Sequence, residues 1–136
     1  MIQAIYGKKG SGKTKRLLDM ANDSLKVEHG DVVFIDDDKR YMYDLRHEVR
    51  FVDASEYGVK SADMFLGFIS GMLAQNFDVT AIFIDAFMKL VKTDIAELGE
   101  FFASLDALAE KRNLRFVISV SGDPDEMPEF MKKYVI

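Results

Sequence analysis

The sequence lacks cysteine altogether and has very little proline. None of its 136 residues is cysteine and only 2 are proline. Without cysteine the chain can form neither a disulfide framework nor a cysteine-based zinc site. Both prolines lie near the C-terminus, and no segment is repeated or of low complexity, so no linker divides the chain. We therefore expect residues 1–136 to form a single domain that is long enough to bury a hydrophobic core.

Long apolar runs and an excess of positive charge are missing as well. The longest uncharged stretch, Met64–Phe77, is shorter than the ~20 residues of a membrane-spanning helix. The N-terminus reaches Lys8 without an apolar run of signal-peptide length. The net charge of −5 argues against a broad surface for nucleic acid. We therefore expect a cytoplasmic protein without a membrane span, and nucleic acid is not supported as a partner.

Short apolar runs recur along the chain and predict strands. Most of them are apolar throughout rather than alternating, which is typical of strands in a sheet that is covered on both faces. The predicted strands are Ile2–Tyr6, Asp31–Asp36, Val49–Asp53, Thr80–Asp85 and Leu114–Ser121.

Segments with helical periodicity separate these strands. One helix is predicted from Lys13 towards a stop at Gly30, a second after a Ser61 cap, and a third after an Asp94 cap with Glu97 three residues later. We interpret two glycines inside the second helix, Gly67 and Gly71, as positions of close packing. The C-terminal EFMKKYVI is predicted to form a short helix or an edge strand. The alternation predicts a three-layer α/β domain with a mainly parallel central sheet.

The most informative segment is GKKGSGKT, at Gly7–Thr14, which matches the phosphate-loop pattern G-x-x-x-x-G-K-[ST]. A strand is predicted before it and a helix after it, as this motif requires. Glycines let the backbone curl so that successive N–H groups converge on a phosphate, and the start of the helix adds further free N–H groups. We predict that the segment binds a nucleotide, with Lys13 at the β- and γ-phosphates and the Thr14 hydroxyl on Mg²⁺. The residues assigned to the nucleotide are Gly7, Lys8, Lys9, Gly10, Ser11, Gly12, Lys13 and Thr14.

Polar side chains follow three of the predicted strands, where parallel sheets build their sites. AIFID ends in Asp85, which resembles a Walker B motif and predicts a second Mg²⁺ ligand; capping of the next segment is the alternative. Asp36 and Asp38 follow the second strand, and we predict a catalytic role for them, although a solvated turn would explain them equally well. Ser119 or Ser121, at the last strand, could sense the γ-phosphate.

Through GKKGSGKT and AIFID, the sequence resembles the P-loop NTPase superfamily, in the RecA-like and thymidine-kinase-like branch. Within that branch it resembles short bacterial ATP-binding proteins, some of them labelled as similar to twitching-motility ATPases. The resemblance implies a three-layer P-loop NTPase fold with an additional strand between the P-loop strand and the Walker B strand. Many such ATPases place Glu directly after the Walker B Asp to orient the attacking water, whereas here Ala86 follows Asp85.

Three functions remain open from the sequence. The first is an ATP-binding protein that acts as a slow or partner-stimulated, Mg²⁺-dependent ATPase, either as a homo-oligomer or with a protein partner that supplies an arginine. The second is a small-molecule kinase, because Asp36-x-Asp38 resembles the D-x-D of shikimate-kinase-like enzymes. The third is a nucleotide-responsive regulator without significant hydrolysis. ATP is expected rather than GTP because no N-K-x-D or T-K-x-D guanine-binding motif occurs.

Overall fold

The computed structural model describes all residues from Met1 to Ile136 and contains five strands and four α-helices. The strands are β1 (Ile2–Gly7), β2 (Asp31–Asp36), β3 (Arg50–Asp53), β4 (Val79–Ile84) and β5 (Arg115–Ser121). The helices are α1 (Lys13–Ser24), α2 (Ala62–Gln75), α3 (Phe87–Val91) and α4 (Gly99–Arg112). None of these helices combines the length and the apolarity that crossing a lipid bilayer requires.

All five strands are parallel and form one sheet in the order β1-β5-β4-β2-β3. The prediction of a three-layer α/β domain with a mainly parallel sheet is therefore confirmed. β5 lies between β1, which precedes the Gly7–Thr14 segment, and β4, which precedes Asp85. The additional strand that the resemblance implied is thus present.

Helices cover both faces of the sheet, which explains why the strands are apolar throughout. Register pairs Ile35 with Ile84, and Ile84 with Ile118, and this row of side chains packs against α2, α3 and α4. The preceding row, Phe34, Phe83 and Val117, faces the opposite side and packs against α1. Because successive residues of a strand point to opposite faces, each strand needs apolar residues at every central position.

Several predicted boundaries differ from those observed. α1 ends at Ser24 rather than near Gly30. Asp94 caps a 3-10 turn at Ile95–Glu97, and α4 begins only at Gly99. The C-terminal segment, predicted to form a short helix or an edge strand, forms a 3-10 turn at Glu129–Met131 and one isolated parallel bridge between Val135 and Ala4.

The interpretation of the two glycines in α2 is wrong. A Cβ atom added to Gly67 or Gly71 would meet no atom within 4 Å, and both residues are exposed. Close packing therefore does not explain these glycines. A close approach occurs instead at Gly30, where an added Cβ would clash with the backbone oxygen of Asp78.

Candidate functional site

The Gly7–Thr14 segment, which we call the glycine loop, connects β1 to α1 at the carboxyl end of the sheet. Gly10 and Gly12 have φ angles of +83° and +86°, in the left-handed region that glycine adopts without strain. At Gly7 the requirement is space, because an added Cβ would lie 2.8 Å from Ser11 Oγ. Each glycine of the motif therefore has a local structural reason.

The loop presents backbone donors that have no acceptor in the protein. Between Lys8 and Thr14, only the Ser11 N–H donates to another backbone group, the Lys8 oxygen at 3.1 Å, and the Arg16 N–H is the first in α1 to donate to a backbone oxygen, that of Gly12. The N–H groups of Gly10, Gly12, Lys13 and Thr14 make no hydrogen bond, and no side chain caps α1. Free N–H groups at the start of a twelve-residue helix favour a negatively charged ligand.

Lys13 is buried beneath the loop, and its Nζ donates to the Lys8 backbone oxygen at 2.9 Å. Burial lowers the pKa of this amine, and the nearby Asp85 carboxylate raises it in part. The other basic residues of the segment, Lys8 and Lys9, are exposed. Lys13 is therefore the basic side chain that the fold holds in place in this loop.

Asp85 lies at the centre of a hydrogen-bonded group that joins three elements. The Thr14 hydroxyl donates to Asp85 Oδ2 at 2.9 Å, and the Ser119 hydroxyl donates to Asp85 Oδ1 at 2.5 Å. The register explains the second contact: Ile84 pairs with Ile118, so the next residue of each strand lies side by side. Asp85 and Ser119 are both buried. Of the two serines considered from the sequence, Ser119 joins this group, whereas Ser121 is exposed.

Asp36 lies beside Asp85, at the end of the neighbouring strand, because Ile35 pairs with Ile84. Its side chain is 2% exposed; Oδ1 accepts the Asp37 N–H at 2.7 Å, and Oδ2 has no partner. Burial raises the pKa of Asp36 to about 8, and the nearby Asp85 carboxylate contributes to this. Asp38 is half-exposed and interacts with Arg40.

A cavity of about 610 Å³ contains most of the residues predicted for the site. Part of the glycine loop, the Asp36–Asp38 segment, Asp85 and Ser119 line it. A second cavity of about 560 Å³ lies on the other side of the loop and shares Gly12 and Lys13 with the first. Of the remaining loop residues, Lys9 lines the first cavity, whereas Lys8 and Ser11 line the second.

Sequence reasoning missed several residues that line the first cavity. Tyr41 comes from the polar segment after Asp38, to which no structure could be assigned, and Met88 and Lys89 come from the five-residue helix α3. The apolar spacing of Phe87, Leu90 and Val91 is a helical signal, although it covers little more than one turn.

The fold, a five-stranded parallel sheet covered by helices on both faces, is consistent with a RecA-like three-layer α/β fold. Among solved structures, the chain is similar to the flagellar accessory protein FlaH from Methanocaldococcus jannaschii, with a TM-score of 0.52 and 16% sequence identity. The match covers 96% of this chain and 64% of FlaH, so the chain spans somewhat less than two thirds of that protein. At this identity the likeness shows the fold alone. No protein-family model matches the chain, and no curated protein is significantly similar to it.

Proposed function

We propose that this chain binds ATP together with Mg²⁺ and hydrolyses it slowly or when a partner stimulates it. The observation that carries the proposal is the contact between Thr14, at the end of the glycine loop, and Asp85, at the end of β4. A phosphate loop and a carboxylate from another strand are the parts with which such sites hold a nucleotide and its metal ion.

The glycine loop supplies the groups that phosphates require. Its unpaired N–H groups can donate to phosphate oxygens, and the Lys13 amine can exchange the Lys8 oxygen, a neutral acceptor, for a charged one. The free N–H groups at the start of α1 add to the positive electrostatic potential that favours phosphate. We therefore assign Gly7, Lys8, Lys9, Gly10, Ser11, Gly12, Lys13 and Thr14 to the nucleotide.

Thr14 and Asp85 have the donor chemistry that Mg²⁺ prefers. Both offer oxygen atoms, and these oxygens lie together at the mouth of the loop. We propose that they hold the ion, which when bound offsets the negative charge of the phosphates. Ser119 keeps the Asp85 carboxylate oriented, and in the proposal it also senses the γ-phosphate.

The absence of a carboxylate after Asp85 supports slow hydrolysis. Ala86 occupies that position, and the carboxyl groups of Asp36 and Asp38 line the same cavity. We propose that these two groups orient the attacking water. Burial and the nearby Asp85 carboxylate raise the pKa of Asp36 to about 8, which favours the protonated form and makes this carboxyl a poor proton acceptor. A partner that lowered this pKa would accelerate the reaction.

A small-molecule kinase is the second candidate, because Asp36 and Asp38 share the cavity with the glycine loop and could hold an acceptor hydroxyl. Incubation with γ-labelled ATP and metabolite mixtures distinguishes the kinase from the ATPase. Label in a small molecule would favour the kinase, and label released only as phosphate would favour the ATPase. Stabilisation by ATP without either product would favour a nucleotide-responsive regulator.

The proposal is tested by Lys13→Ala, with Lys26→Ala as the matched control at an exposed lysine beyond the end of α1. At an ATP concentration 100 times the Kd, Mg-ATP should stabilise the wild type by about 2.7 kcal/mol, measured by thermal unfolding. We expect Lys13→Ala to lose this stabilisation and Lys26→Ala to retain it. Equal stabilisation of the wild type and Lys13→Ala would contradict the assignment of the loop.

A further inference from the structure

Five basic side chains line the first cavity, and three of them already interact with another group of the protein. The five are Lys9, Lys13, Lys15, Arg40 and Lys89. Lys13 donates to a backbone oxygen at 2.9 Å, Lys15 pairs with the carboxylate four residues later at 2.8 Å, and Arg40 pairs with Asp38 at 3.3 Å. Lys9 and Lys89 make neither a side-chain hydrogen bond nor an ion pair. These two lysines are therefore the cations of the cavity that remain free for a ligand.

The two free lysines differ in the element that carries them. Lys9 belongs to the glycine loop and is already assigned to the nucleotide, whereas Lys89 belongs to α3 and has no assigned role. The Phe87 side chain of α3 is fully buried, and its ring centroid lies 5.5 Å from that of Phe101 and 5.7 Å from that of Phe102. This packing fixes the backbone that carries Lys89 beside the cavity.

The chain enters α3 through a strained turn directly after Asp85. Ala86 has a φ angle of +54°, in the left-handed region that is unfavourable for a residue with a Cβ atom. Strain of this kind persists where the surrounding structure fixes it, and it is frequent at functional sites. The turn begins α3 at the end of β4, so that Met88 and Lys89 line the same cavity as Asp85.

The Ser119 hydroxyl, which we propose senses the γ-phosphate, cannot supply a charged contact to it. A serine has one hydroxyl hydrogen, and Ser119 donates it to Asp85 Oδ1 at 2.5 Å. The Lys89 ammonium carries a full positive charge and three hydrogens, none of which the protein uses. Outside the glycine loop, Lys89 is therefore the basic side chain of this cavity that can bind a phosphate without first leaving a partner.

We propose that Lys89 binds the terminal phosphate of a bound nucleoside triphosphate and thereby distinguishes the triphosphate from the diphosphate. This inference rests on the proposed function and adds to it a cation from the chain itself. A lysine ammonium is a compact charge on a flexible stem, so Lys89 can reach a phosphate oxygen although its side chain is exposed. Lys89 contributes binding energy to the triphosphate and much less to the diphosphate, because the diphosphate lacks the group that it contacts.

The inference is tested by measuring the Kd values of ATP and ADP by calorimetric titration in the presence of Mg²⁺. We expect Lys89→Gln to weaken ATP binding about tenfold and ADP binding less than about twofold, because it removes one charge-assisted contact to the terminal phosphate. Lys89→Arg keeps the charge and should restore most of the preference for ATP. Neither substitution is expected to disturb folding, since the side chain is exposed.

The matched control is Lys92→Gln, at an exposed lysine three residues later that lines neither cavity. It removes the same charge from the same segment, and we expect the Kd values of both nucleotides to stay within about twofold of the wild type. Equal weakening of ATP by Lys92→Gln would mean that only the general charge of the surface matters, and the inference would be wrong. Equal weakening of ATP and ADP by Lys89→Gln, or no weakening of either, would also overturn it.

Tripolyphosphate, which has no base or sugar, is the second probe and separates this inference from the proposed function. If Lys89→Gln weakens tripolyphosphate but the wild type does not bind ATP, the assignment to ATP fails and the contact of Lys89 stands. If the wild type binds ATP and Lys13→Ala does not, but Lys89→Gln binds ATP as the wild type does, the proposed function stands and this inference fails. If the wild type binds neither probe, both are wrong.

Discussion

Asp36 is a carboxyl group held between apolar strands, and its ionisation is therefore linked to folding. The folded state raises its pKa from 3.8 to about 8, chiefly through burial. Between these values the folded chain binds a proton that the unfolded chain has released. The free energy of unfolding then falls with rising pH. The contribution of Asp36 to stability is fully present below pH 3.8 and is lost as the pH passes about 8.

Asp36→Asn should remove this dependence. In buffer with a chelator, we expect the wild type to lose stability between about pH 4 and pH 8, while the variant changes less. At pH 8.5 the variant should be the more stable by at least about 1.4 kcal/mol, the equivalent of one pH unit. Denaturant unfolding at several pH values measures both. Parallel pH profiles for the two proteins would show that another group is responsible.

At the same scale, local patterns predicted some site residues and missed others. Gly7–Thr14 is a contiguous motif, and Asp85 and Ser119 follow from the rule that strand ends build sites in parallel sheets. Tyr41 and Lys89 line the cavity because the folded chain passes around it, and not because they belong to a sequence motif. No local pattern encodes such a path. The roles assigned to the predicted residues stay predictions.

Among the elements, α2 contains two glycines that its packing does not require. Gly67 and Gly71 face solvent in a helix that Ser61 caps by accepting the Met64 N–H at 3.1 Å. A glycine in a helix interior is about 1 kcal/mol less favourable than alanine. The glycines of the glycine loop differ, because Gly10 and Gly12 have positive φ angles.

Alanine should therefore have opposite effects at these two kinds of glycine. We expect Gly67→Ala to raise the free energy of unfolding by roughly 0.5–1 kcal/mol, because the helical backbone accepts the new Cβ without a clash. We expect Gly12→Ala to lower it by roughly 1–2 kcal/mol, because alanine is strained in the left-handed region. Chemical denaturation of both variants measures the difference. Destabilisation by Gly67→Ala would mean that α2 has a packing partner at this position.

The sequence predicted the existence of the main elements better than their ends. After Ser24 the backbone hydrogen bonds of α1 tighten to the 3-10 pattern, in which the Leu25 N–H donates to the Asn22 oxygen and the Lys26 N–H to the Asp23 oxygen. Asp94 is a capping residue, as predicted, but its carboxylate accepts the Ala96 N–H of a 3-10 turn. Capping patterns identify a turn of helix and do not determine whether it continues.

For the molecule as a whole, the layers were predictable and the order of the strands was not. Apolar periodicity reports which faces are covered, whereas the order β1-β5-β4-β2-β3 depends on pairings between distant segments. The resemblance alone placed a strand between β1 and the strand that ends at Asp85. The sequence predicted the C-terminal segment only as an edge strand or a short helix, and no pattern in it indicated that this segment contacts β1.

This contact joins the two ends of the chain at the strand that leads into the glycine loop. The Ala4 N–H donates to the Tyr134 oxygen at 2.8 Å, and the Ile136 N–H donates to the Ala4 oxygen at 3.0 Å. The Tyr134 ring is 7% exposed and stacks on Phe102 of α4, with ring centroids 5.7 Å apart. Packing of this ring therefore holds the segment against the outer edge of β1, where no full strand pairs.

Tyr134→Ala should detach the C-terminal segment from the outer edge of β1. We expect a loss of about 3 kcal/mol of stability, since a buried aromatic ring is removed, and faster hydrogen exchange at the Ala4 amide than at the amides of β4. The control is Tyr43→Ala, at a tyrosine that is 89% exposed, which should change neither quantity. A uniform increase in exchange over the whole sheet would mean that the segment unfolds only with the molecule. A local increase at Ala4 would mean that the packing of Tyr134 protects the outer edge of β1.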